Sequence, residues 1–182
     1  MLTTNSPTKV RVLIQRIVMS AVLTAMSVVL CRFLGFSPGG TAFRVEIGFL
    51  PIAAVAMMYG PVWAGVSYGV SDLLGAAITT GINPFITLCK VLFGILLGLC
   101  FYGKKRGFIY HTVFFILVGA AVDILCMTPI FVHYFGYTTD AALITRAATA
   151  AINTPVRIAL FYLTQKGLGD KILKYSTKTA EK

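Results

Sequence analysis

Charge is what this chain has least of: charged residues make up 12% of its 182 residues, and only six of them are acidic. A soluble domain carries roughly 25% charged residues. A chain of this length also has a single core in which to hide apolar side chains. Yet 57% of the residues are apolar and the mean hydropathy is +0.84. One core cannot hold that much, so the surrounding solvent must itself be apolar, a lipid bilayer. Histidine is scarce as well, with two residues, and no CxxC pair occurs among Cys31, Cys89, Cys100 and Cys126. These cysteines lie within apolar stretches and read as buried small hydrophobes in a reduced protein, not as metal ligands. Phosphate loops, GxSxG and HExxH are all missing, and no paired nucleophile and base can be found. The chain reads as a non-enzyme without a cofactor, and uphill transport would need an ion gradient or a partner protein.

What is present is a series of apolar runs. A spanning helix needs about 20 mostly apolar residues. The first run, 12–34, is too long for the apolar core of a cleavable leader and reads as a span. The Gly/Pro-rich GFSPGGT follows as a loop. The second run, 45–59, is short, and Pro51 is expected to kink it. The remaining spans are expected at about 61–80, 84–102, 108–134 and 141–164. Pro61 and Pro84 suit first helical turns. This predicts an all-α membrane protein, a single six-helix domain over residues 1–182.

The net charge of +10 would raise the question of nucleic acid in a soluble protein. Here the basic residues lie between and beyond the apolar runs. Lys9, Arg11, Arg16, Lys104, Lys105, Arg106 and the five tail lysines fall on one side of the bilayer, which the positive-inside rule makes cytoplasmic. Both termini are therefore expected inside, with no nucleic-acid partner.

Charges within spans are costly, about 2.5–3.5 kcal/mol each on insertion scales, and usually face a cavity or a partner. The residues concerned are Asp72, Lys90, Asp123, Arg146 and Arg157. Helical periodicity puts Tyr68, Asp72 and Thr79 on one face, Asn83 and Lys90 a heptad apart, and Arg146, Asn153 and Arg157 on one face of the last span. These stripes point to a solute cavity opening outward, near Arg44. The plainer reading is also open: Asp72 pairing with Lys90 or Arg157, and Asp123 hydrogen-bonding across helices, simply to hold the bundle together. Arg146 is close enough to the interface to snorkel.

Several stretches together resemble the substrate-binding S-components of energy-coupling factor (ECF) vitamin transporters. They are Ala21-Val22-Leu23-Thr24-Ala25, Phe43-Arg44-Val45-Glu46-Ile47-Gly48-Phe49-Leu50-Pro51-Ile52, Tyr59-Gly60-Pro61-Val62 and Ser71-Asp72-Leu73-Leu74-Gly75. The stretch entered through Arg44, and Asn83-Pro84 leading into a lysine-bearing helix, are similar to the folate-specific branch. The resemblance implies capture of a vitamin from outside and delivery through a transmembrane coupling subunit driven by two ATPase subunits. It implies contact with the coupling subunit at Ala21 and Ala25, and gating by the first loop with Gly35, Pro38, Gly39 and Gly40. Folate would find candidate binding groups in Arg44, Tyr68, Asp72, Asn83, Lys90, Arg146, Asn153 and Arg157. Another vitamin or precursor, pantothenate or a pyrimidine, and a stand-alone ion-coupled carrier are the alternatives.

Overall fold

The computed structural model describes residues 7–33, 47–79, 82–103, 107–119 and 121–180. These residues form helices and their connections, with no strand among them. Six helical rods follow in chain order: α1 (Pro7–Phe33), α2 (Phe49–Tyr59), α3 (Pro61–Thr79), α4 (Pro84–Phe101), α5 (108–135) and α6 (Thr139–Ala180). Among the described residues, three stretches are long and apolar enough to cross a membrane, Val10–Arg32, Pro84–Phe101 and Phe108–Tyr134. Helices α3 and α6 are less apolar because they carry Ser67, Ser71 and Asp72, and Arg146, Asn153 and Arg157. Large apolar side chains on the outside of the bundle, among them Val22, Leu88, Leu99, Leu117 and Leu125, stand exposed as lipid-facing residues do.

Helix starts follow the local chemistry. Pro61 and Pro84 occupy first helical positions, and the Asn83 side chain accepts from the Phe85 and Ile86 amides at 3.1 and 3.5 Å. Pro51 does not interrupt α2, contrary to expectation. It falls in the first turn, where an amide would have no helical partner to lose. The consequence is length: α2 has 11 residues, about 16 Å.

That short helix is the centre of the molecule. Phe49, Ile52, Ala53, Val55 and Ala56 are completely buried, and α2 touches α1, α3, α4 and α6. A helix apolar on all sides belongs in an interior. Phe93, Phe101, Phe115 and Phe161 extend the same core into α4, α5 and α6.

Small residues then set how closely α3 and α4 approach. A Cβ on Gly94 would lie 2.8 Å from the Ala64 carbonyl oxygen, and one on Gly69 would lie 2.7 Å from Val91 Cγ2. A Cβ on Gly98 would collide with Pro61. Gly65 and Gly69 on one helix and Gly94 and Gly98 on the other are each four apart, the spacing that lets backbones meet in a membrane. At the other flank, Ser71 donates to Ser27 at 2.9 Å, and Ser27 donates to the Gly48 carbonyl at 2.6 Å. This chain of hydroxyls ties α1 and α3 to the start of α2.

Helix α5 is irregular, with π-helical turns over Phe115–Gly119 and Val122–Cys126. Pro129 accounts for the second. It cannot donate to the Leu125 carbonyl and crowds it, so the turn before it widens. Helix α6 continues beyond Thr164 to Ala180, so the basic tail is helical up to that residue.

Candidate ligand-binding site

Four of the five intramembrane charges meet in two ion pairs. Lys90 Nζ on α4 lies 2.9 Å from Asp72 Oδ1 on α3, and Thr87, one turn before Lys90, donates to the other carboxylate oxygen at 2.8 Å. Both pairings depend on the close α3–α4 approach that the glycines allow. Arg157 Nη1 on α6 lies 2.8 Å from Asp123 Oδ2 on α5. Asp123 stands in the widened turn Val122–Cys126.

Lys90 of the first pair and both members of the second line one cavity, together with Tyr68, Cys89, Phe93, Val122 and Met127. Its walls are aromatic and thioether, and its polar groups are few, the usual make-up of a small-molecule site. Phe93 is the hinge of the wall: its ring meets Tyr68 edge-on at 6.2 Å, and the Arg157 guanidinium lies 5.3 Å from its centroid. Lys90 Nζ lies 5.9 Å from the Tyr68 ring centroid. With two cations and two carboxylates the constellation has no net charge, which limits the cost of placing four ions inside a membrane protein.

Within each pair the members are unequally placed. The Lys90 side chain is 18% exposed and its partner Asp72 5%, whereas Asp123 is 17% exposed and its partner Arg157 5%. Lys90, Asp123 and Arg157 line the cavity, with Lys90 and Asp123 the more open of the three, and Asp72 stands behind Lys90. Lys90 lies six residues into α4 and Asp72 seven residues before the end of α3, which puts the site about 10 Å below that end of the bundle.

The other candidates from the sequence are distributed as follows. Asn83 spends its side-chain oxygen on capping α4. Arg146 lies over the Phe131 ring, 3.5 Å from its centroid, a cation–π contact between α6 and α5. Asn153 is buried one turn before Arg157 and is not among the cavity-lining residues. Ala21 and Ala25 are exposed on α1. Arg44 and the loop residues Gly35, Pro38, Gly39 and Gly40 lie outside the described residues.

Asp123, Phe93, Cys89, Val122 and Met127 join the site without having been counted among the binding candidates. Asp123 announces itself by its cost within a span. Phe93 follows Lys90 by three residues and so shares its face; the others carry nothing in sequence that separates them from core.

Comparison with known proteins completes this picture. A curated relative, the folate transporter FolT of Clostridium novyi (strain NT), is 29% identical over 145 residues, which cover 78% of this chain and 83% of that protein. A crystal structure of FolT bound with folic acid is similar with a TM-score of 0.72 and 25% identity, covering 80% of this chain and 89% of that one. Residues 15–172 match the family described as ECF transporter, substrate-specific component. The match spans most of the chain, and the chain belongs to that family of substrate-binding membrane subunits.

Proposed function

We propose that this chain is the folate-binding subunit of an ECF-type vitamin importer in a bacterial plasma membrane, with both termini cytoplasmic. The observation that carries the reading is the cavity between α3, α4, α5 and α6, where the charged groups of Lys90, Asp123 and Arg157 share a lining with the rings of Tyr68 and Phe93. Folate combines a flat aromatic head having a donor edge with a carboxylate-bearing tail, and so suits a site of mixed charge and aromatic walls. The likeness to FolT, in sequence and in fold with folic acid bound, supports the same ligand.

Transport then requires partners, because no part of the chain resembles an ATPase. The coupling subunit would meet α1 at Ala21 and Ala25, whose small side chains are exposed and four residues apart. Two ATPase subunits would drive the cycle.

Extraction of the purified protein and mass spectrometry of the small molecules that accompany it test the ligand. Folate or a reduced folate is expected. Pantothenate or a pyrimidine in its place would overturn the choice of vitamin while leaving the family intact.

A further inference from the structure

We propose that Cys89 on α4 and Cys126 on α5 form a dithiol site, which a small uncharged disulfide converts into a covalent bridge between the two helices.

The thiols of two different helices meet here. Cys89 and Cys126 are both free, and they hydrogen-bond to each other. From that contact the sulfurs have only a short movement to make to reach the roughly 2.05 Å of a disulfide. The other two cysteines stand apart. Cys31 packs against Gly48, and Cys100 lies at the far end of α4, about 16 Å along the helix from Cys89. Room to move comes from α5. Cys126 ends the widened turn Val122–Cys126, where the backbone departs from α-helical spacing, so its sulfur can advance on Cys89.

Access and compartment agree with this chemistry. Cys89 lines the cavity, and Cys126 is partly buried. Cys89 stands near the start of α4, at the end of the bundle that the basic residues place outside the cell, the side on which disulfides persist. The apolar surroundings favour an uncharged oxidant. The deprotonated Cys89 sulfur attacks one sulfur of the oxidant R–S–S–R, giving a mixed disulfide, and the released R–S⁻ takes up the proton that Cys89 lost. Cys126 then attacks the Cys89 sulfur, closes the bridge and expels the second R–S⁻, which leaves with the Cys126 proton. Two thiols are oxidised, and the oxidant is reduced to two molecules of R–SH. The bridge draws Cys89 toward α5, in the wall where Lys90 and Phe93 follow it, and so narrows the cavity. On the folate reading, the bridged protein binds folate more weakly.

The purified full chain in detergent is treated with 4,4′-dithiodipyridine over hours, quenched in acid, digested and read by mass spectrometry. The expected product is a peptide containing Cys89 joined to one containing Cys126, cleaved again by dithiothreitol. In Cys126→Ala, Cys89 should stop at the thiopyridyl adduct, because the resolving thiol is gone. Separate adducts on Cys89 and Cys126 in the wild type overturn the proposal, and so does a wild type in which neither reacts. If Cys126→Ala does not fold, the wild-type peptides decide alone. The fully bridged protein should bind folic acid at least about tenfold more weakly, with recovery in dithiothreitol; equal affinity overturns the narrowing of the cavity. Untreated protein that binds no folic acid overturns the functional reading instead, and the bridge is still decided by the peptide masses.

Discussion

Lys90 reaches across from α4 to Asp72 on α3, Nζ to Oδ1 at 2.9 Å, while Thr87 holds the second oxygen at 2.8 Å. A buried pair of this kind costs more to break than it contributes when intact. Removing one partner strands a charge, at about 3–5 kcal/mol, whereas removing both together costs less. Asp72→Asn and Lys90→Gln should each lower the melting temperature in detergent. The double variant should be less destabilised than the sum of the two singles. Strict additivity in a thermal-unfolding series would show that the pair is not coupled.

Asn83 separates a capping role from a ligand role. Its side chain accepts from two amides at the start of α4, so Asn83→Ala should cost about 0.5–2 kcal/mol of stability. Asn83→Ser should recover most of it. Folate affinity should stay within a few-fold in both, as read by calorimetry. Selective loss of affinity with unchanged stability would return Asn83 to the binding site.

The α3–α4 contact depends on Gly94, where a Cβ would lie 2.8 Å from the Ala64 carbonyl. Backbone cannot yield as a flexible side chain can, so Gly94→Val should separate the helices. The expected result is a destabilisation of at least about 1–3 kcal/mol, together with weaker folate binding because Lys90 and Asp72 move apart. A stable variant that binds normally would show that close packing here does not position the site.

On α1, Ala21 and Ala25 are exposed and, on the proposed reading, face the coupling subunit. Ala21→Trp and Ala25→Trp should abolish ATP-dependent uptake by the assembled transporter and leave folate affinity of the isolated chain unchanged. Binding assays and uptake into proteoliposomes separate the two effects. Lost affinity in the isolated chain would argue against a partner surface.

Much of this architecture is legible in the sequence because the bilayer imposes strong rules. Apolar runs mark the rods, proline marks the starts of α3 and α4, and charges within spans point to the site by their cost. What is not legible depends on three-dimensional neighbours. The burial of α2 on every side comes from packing, and its length alone reads only as a marginal span. The widened turn that carries Asp123 arises from Pro129 three residues beyond it, a local effect that helical periodicity hides. Periodicity also leaves open whether Asp72 pairs with Lys90 or Arg157. The choice is made by Gly69 and Gly94, which bring α3 against α4 and leave Arg157 to Asp123. Phe93 reads in sequence as one more apolar residue, yet it forms the wall between both pairs.

The central claim is that this cavity binds folate, and isothermal titration of the purified wild-type chain with folic acid tests it most directly, with pantothenate titrated in parallel. The account predicts tight, saturable one-to-one binding of folic acid, sharply weakened by Asp123→Asn, and no binding of pantothenate. Folic acid that fails to bind, or binds wild type and Asp123→Asn alike, would contradict it.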